Sequence, residues 1–399
     1  MNFRDSRPWP RPRGHSHPAT APARGPRRPD LRAGLSAALL QAVRAQDFGR
    51  TADHWHGGAP LTHFPSIDLA LVVFPLRGAP QFANVLFSRE HPLGWAARIG
   101  PGAGAVQDVQ FLADLQDAKG QSPAWQAGRS WKQMTWAPLT DAGPAAGAGT
   151  ARFVAPYPAS LLKLMVAVGL GLAVDRGLCR WDELLPSLAP MITVSSNEAT
   201  DACVAQLHRL GLLGGPVNAL NAVFVQHGLA TLQLNDTTPA GGWRNADGAG
   251  VGHIHMTAWD TVRLLWLLDA EAPPAPWLPP GTAPLLQPAT RDALRALLAA
   301  QTLDEVLSSG SLRGLPGWVP GLPDAPAFAH KTGTTDNYAS DAGIVRTGIP
   351  GTDGAEGAHY IVAALTSLGR RYAAVPECAT TWRLPALGAA LHALATQFR

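Results

Sequence analysis

Lysine and cysteine are the scarce residues of this 399-residue chain. Cys179, Cys203 and Cys378 are odd in number, widely separated and without metal-ligand spacing, so ordinary packing is their expected role and they do not settle the compartment. Long apolar runs are absent too. The longest, Leu164 to Val174, is too short to span a bilayer and suits a buried core helix. No internal repeat occurs. Charge is sparse, at 15% of residues, while 46% are apolar, which excludes a wholly disordered chain and leaves a globular protein with ample core.

The net charge of +3 is unevenly spread. Residues 1–32 hold eight arginines against Asp5 and Asp30, a net of +6, which leaves −3 for residues 33–399. That leader also holds seven prolines and no apolar period, and a disordered, solvated tail is expected rather than a nucleic-acid or membrane arm. Ala33 to Val43, interrupted by Gln41, reads as a first amphipathic helix rather than as a signal-peptide core. Basic residues elsewhere are almost all arginine. Only Lys119, Lys132, Lys163 and Lys331 are lysines, beside 28 arginines.

Hydrophobic periodicity predicts a helix over 31–46, strands over 67–74 and 82–87, and a flexible Gly, Ala and Pro connection over 141–149. Helical spacing dominates from Ser160 to Leu268, with segments at 161–175, 197–210, 217–227 and 257–268. Pro-rich loops follow at 273–284 and 315–326. Strands return at 327–331, 341–346 and 360–366, before a last helix over 385–397. Strands at both ends around a helical middle predict an α+β fold, its sheet assembled from both chain ends. The expected division is a tail, 1–32, and one catalytic domain, 33–399. Within the latter, an α/β part (33–160 and 311–399) would enclose a helical part (161–310).

Three short motifs carry chemistry. In Pro158-Ala-Ser160-Leu-Leu-Lys163, Ser160 and Lys163 are one helical turn apart and share a face. A serine hydroxyl becomes nucleophilic when a base takes its proton, and a lysine can do so once burial or nearby positive charge lowers its pKa. Ser195-Ser-Asn197 stands between a short apolar run and a helix, where an N-cap is the plain alternative. Lys331-Thr332-Gly333 follows an apolar strand and places a lysine in a chain that otherwise prefers arginine.

In this order the motifs match the Ser-x-x-Lys, Ser-x-Asn and Lys-Thr-Gly set of class A β-lactamases and penicillin-binding proteins. The chain resembles that family over about residues 150–399. The resemblance implies that Ser160 attacks an amide or β-lactam carbonyl, with Lys163 as proton acceptor. Ser195 would pass the proton to the leaving nitrogen, and Asn197 would hold the Lys163 ammonium and a substrate amide. Lys331 would add positive charge near the substrate carboxylate. Thr332, Gly333 and Thr334 would bind substrate, and the backbone N–H groups of Ser160 and Thr334 would form an oxyanion hole. The implied reaction uses no cofactor and no metal. Its partner is a small β-lactam or a peptidoglycan-like amide or ester, without nucleic acid or a membrane span, and the family works outside the cytoplasmic membrane.

Several departures bear on turnover. Relatives carry a glutamate on an omega loop, but this chain has none between Glu198 and Glu271. Asp236 and Asp247 are the candidate deacylation bases, each with a turn role as alternative. Arg346 and Arg244 are candidates for a substrate-carboxylate arginine that relatives keep near Ala342. The pairs His54/His56 and His253/His255 have ligand-like spacing but no third partner, so loop or cap roles are expected. Hydrolysis of β-lactams is the leading expectation. A slowly deacylating D,D-peptidase or esterase, or a module that acylates and stops, are the alternatives.

Overall fold

A computed structural model of the chain describes residues 34–113, 138–140, 149–215, 218–244, 251–348 and 357–399. The expected tail lies outside them, as do Asp247 and most of the 141–149 connection.

After helix α1 (Gly34–Ala45), the chain enters strands β1 (Ile67–Val73), β2 (Gln81–Phe87) and β3 (Trp95–Ala96). It returns to the same sheet much later with β6 (Phe328–Thr334), β7 (Ala339–Arg346) and β8 (His359–Thr366). The order is β6-β7-β8-β1-β2-β3, antiparallel throughout, with Ala70 opposite Ala363 and Asn84. The sheet is thus built from both ends of the chain, as the sequence predicts.

Every residue of β1 is buried, because the strand is covered on both faces. Ile67, Leu69, Leu71 and Val73 point to a core shared with α1 and the last helix, α8 (Arg383–Gln397). Ala70 and Val72 point to the larger core under the middle helices. A period of two explains why the strand reads as a nearly unbroken apolar run. Asp68 is the exception, at 0% exposure. Its Oδ1 accepts from Asn84 Nδ2 at 2.7 Å and its Oδ2 from the Ala258 N–H at 2.8 Å. Burial pushes its carboxyl up to about 7 against the pull of those two hydrogen bonds.

Between the two halves of the sheet run α2 (Lys163–Asp175), α3 (Trp181–Thr193), α4 (Asn197–Arg209), α5 (Ala219–Gln226), α6 (Ala258–Leu268) and α7 (Pro288–Ala299). Helix α2 is central, buried from Lys163 to Ala173, which is why it is apolar on every side. Two helices escape the sequence reading. Pro186 and Pro190 lie inside α3, yet Leu184, Leu188, Met191 and Ile192 form a buried stripe at helical spacing, and that stripe outweighs the proline penalty. Helix α7 opens on Pro288, a favourable first position, and buries Thr290, Leu294 and Leu298. A short parallel pair, β4 (Val109–Ala113) with β5 (Ala151–Ala155), also escapes it. Its two members lie on either side of the low-periodicity stretch that hid them.

Asp68→Ala would remove the acceptor of the buried Ala258 N–H and one of the two acceptors of Asn84 Nδ2, which keeps Leu69 O, at about 1–3 kcal/mol for each lost bond. The denaturant midpoint is therefore expected to fall by the equivalent of about 2–5 kcal/mol, and an unchanged midpoint would show that β1 and α6 are not coupled through this carboxylate.

Candidate active site

Pro158 begins a turn in which Ala159–Leu162 are 3₁₀-helical, and the α-helix proper starts only at Lys163. The tighter turn comes with Ala159 in the left-handed region, at φ 51°. Strands β6 and β7 hold it in place. Ser340 Oγ donates to Pro158 O at 2.5 Å. A Cβ added at Gly333 would lie 2.5 Å from Pro158 O and 2.6 Å from Leu161 N, so only glycine lets β6 approach the Ser160 turn this closely.

Ser195 also has left-handed backbone, at φ 57°, a costly conformation for serine. The N-cap expected in this region is supplied by its neighbour instead, since Ser196 Oγ accepts from Ala199 N at 3.1 Å. Ser195 is left to face two lysines. Lys163 Nζ donates to Ser195 O at 2.7 Å, to Ser195 Oγ at 3.0 Å and to Asn197 Oδ1 at 3.0 Å. Lys331 Nζ donates to the same Oγ at 3.0 Å, to Gln301 Oε1 at 3.1 Å and to Thr332 O at 2.8 Å. With both nitrogens 3.0 Å from one oxygen, they are at most 6.0 Å apart.

Both lysines are fully buried. Desolvation lowers the Lys163 ammonium to about 7, against an upward pull from Asp201. Lys331 is pushed well below the usual lysine range by burial and by the charge of Lys163, while Asp341 and Glu305 pull it back. Beneath Lys331 lies a buried anchor. His330 Nδ1 is 2.7 Å from Asp341 Oδ1 and its Nε2 is 3.2 Å from Asp304 Oδ1. Burial alone would lower this imidazole, but the two carboxylates raise it to about 9, so it is a cation at neutral pH. Gln301 links the layers, donating to His330 O at 3.1 Å while accepting from Lys331.

Ser160, Asn197 and Thr334 line one cleft of about 330 Å³, together with Tyr157, Trp243 and Tyr338. Thr332 is buried within β6, and the buried Oγ1 of Thr334 has no hydrogen-bond partner among the described residues. Asp236 is not among the residues that line the cleft. It has φ 53°, its side chain is 58% exposed, and its Oδ2 lies 2.5 Å from His253 Nδ1. Arg346 is engaged elsewhere, with Asp269 at 2.7 Å and with Glu271. His56 pairs with Asp53 at 2.8 Å, and His255 Nε2 is 2.9 Å from Gly252 O. Among the described residues no group of three or more His, Cys, Asp or Glu is placed to hold a metal ion.

Three side chains at this site went unread in the sequence. Trp243, 5% exposed, sits over the Lys163 ammonium at 5.6 Å and helps keep it dry. Asp201 lies one helical turn beyond Asn197, a spacing that could have exposed it, and its Oδ2 accepts from Arg244 Nη2 at 3.0 Å. Gln301 carries no local signal at all.

Residues 186–374 match the model of the Beta-lactamase enzyme family, a span that contains Ser195, Asn197 and Lys331 but begins after Ser160 and Lys163. A solved structure of a β-lactamase from Streptosporangium roseum is similar, with 19% identity over 60% of this chain and 85% of that one and a TM-score of 0.40. No curated protein matches the chain. Over residues 186–374, a little under half of its length, the chain is thus similar to the β-lactamase enzyme family.

Proposed function

We propose that the protein is a serine hydrolase that opens β-lactam or related amide bonds through an acyl-enzyme on Ser160. The observation that carries this reading is the single oxygen, Ser195 Oγ, held between Lys163 and Lys331. Burial leaves Lys163 near the pH at which an amine and an ammonium coexist, so its neutral form can accept the Ser160 proton as the hydroxyl attacks the carbonyl. The proton then travels from Lys163 through Ser195 to the leaving nitrogen. Lys331 donates to the same Ser195 Oγ beside that path. The developing oxyanion is taken by the backbone N–H groups of Ser160 and Thr334. Asn197 holds Lys163 in register through its Oδ1 and turns its amide nitrogen to the substrate.

A second reading is supported by the position of Asp236, exposed and paired with His253 instead of lining the cleft. Without a carboxylate to activate water, the acyl-enzyme would persist, as in a penicillin-binding protein. Intact mass with a chromogenic cephalosporin separates the two. Many products per protein support the hydrolase, while one burst with a stable adduct supports slow deacylation. Ser160→Ala is expected to lose adduct and turnover, by on the order of 10³-fold or more. An adduct surviving in that variant would eliminate both readings.

Gly333→Ala is expected to reduce acylation by at least tenfold and to cost about 1–3 kcal/mol of stability, since the added Cβ must displace the Ser160 turn or the strand. Unchanged acylation would mean that the close approach is not needed.

Acylation requires the Lys163 amine, so its rate should rise with pH through about 7 and level off above. The charge of Asp201 raises the Lys163 pKa, and Asp201→Asn removes that pull, so the rise should move to lower pH. A pre-steady-state pH profile reads both. A rise that stays in place in Asp201→Asn, or moves upward, would overturn this account of Lys163.

A further inference from the structure

Asp336 lines the Ser160 cleft. That residue also lines a second cavity, of about 350 Å³, whose walls include Trp55, Arg370, Arg371 and Pro376. Two segments distant in sequence build the chamber. One is the short 3₁₀ turn His54–His56, and the other is the loop that follows β8. They are fastened together by Arg371, which is buried, pairs with Asp53 and donates to Asn337 Oδ1 at 3.3 Å.

The lining has a definite chemistry. Trp55 is 60% exposed, an unusual state for so large an apolar side chain. Its ring is held by the Arg371 guanidinium 4.7 Å from its centroid, and the remaining ring surface is open. Arg371 is neutralised by Asp53. Arg370 is exposed, and its backbone N–H is tied to Thr335 O at 2.9 Å while its guanidinium has no hydrogen-bond or ion-pair partner among the described residues. The chamber therefore offers an apolar platform, the Arg370 cation, whose charge is also felt by Glu305, and, where it adjoins the cleft, Asp336.

We propose that this chamber is a subsite for the far end of an elongated, peptide-like substrate of Ser160. An aromatic or other flat apolar group lies on Trp55, a terminal carboxylate meets Arg370, and an amide N–H is accepted by Asp336 at the junction. The inference rests on the reading of Ser160 as the acylated residue. A fixed aromatic surface loses little side-chain entropy on binding, and an arginine discriminates an anion from its neutral isostere through charge-assisted hydrogen bonds. Arg370 would thus select the end of the substrate without touching the reacting atoms.

Calorimetry on Ser160→Ala tests the subsite without any chemistry. The probes are a 4-carboxyphenylacetyl dipeptide and its 4-carbamoyl analogue, which differ only in the terminal charge. The carboxylate is expected to bind about tenfold more tightly. Adding Arg370→Gln should abolish that preference, and adding Trp55→Ala should weaken both probes by about fivefold. In the otherwise unchanged protein, neither substitution should alter acylation by 6-aminopenicillanic acid, which is too short to pass Asp336. Equal binding of the two probes, or a preference that survives Arg370→Gln, overturns the proposal. Absence of any adduct with 6-aminopenicillanic acid counts against the Ser160 reading instead, and leaves the calorimetric comparison to decide the subsite.

Discussion

Two lysine side chains, each fully buried, converge on the hydroxyl oxygen of Ser195. Bringing two ammonium groups within 6.0 Å of each other in a dry interior is strongly unfavourable, and the surroundings are arranged to reduce that cost. Neutral oxygens surround both nitrogens: the Ser195 carbonyl, Asn197 Oδ1, Gln301 Oε1 and the Thr332 carbonyl. No carboxylate makes a direct ion pair with either lysine among the described residues. Asp201 and Asp341 act on them through space. A full ion pair would hold each lysine protonated, whereas neutral acceptors leave Lys163 close to its titration point.

The sheet supplies the rigidity this needs. Strand β6 carries Lys331 and β7 carries Asp341, and both are clamped against the Ser160 turn by the close approach at Gly333 and the Ser340–Pro158 hydrogen bond. The buried His330 cation between Asp304 and Asp341 anchors β6 from below. Helix α2 brings Lys163 from the opposite side, through a core so apolar that the ammonium has nowhere to go but toward Ser195 and Asn197. Left-handed backbone at Ala159 and Ser195 fits the same picture, because strain of that kind persists only where the surrounding structure fixes it.

Much of this was legible in the sequence. Strands β1 and β8 and helices α4 and α6 follow from apolar runs and stripes, which are local signals, and the order of elements already called for a sheet assembled from both chain ends. Ser195 beside a helix start, and lysines in a chain of arginines, marked the positions where buried amines converge. Other parts were hidden for physical reasons. Two prolines masked α3, because a propensity rule is local while the stripe that stabilises α3 is felt only in the packed core. Trp243 and Gln301 reach the site from positions 80 and 138 residues beyond Lys163, with no pattern to announce them.

By itself, the sequence determined which chemical groups were available: a serine one turn from a lysine, a second serine with its asparagine, and a lysine followed by threonine and glycine. It also determined the nearly unbroken apolar runs of β1 and β8, which suit strands covered on both faces. Tertiary structure decided what those groups are worth. A lysine is an ordinary cation until packing removes its water, and only the assembled core desolvates Lys163 and Lys331 and sets them on one oxygen. In the same way Asp236, a plausible base on paper, is placed in solvent beside His253, and Asp201 is brought close enough for its charge to be felt by Lys163. Proximity and desolvation are properties of the fold, because both depend on residues far away along the chain.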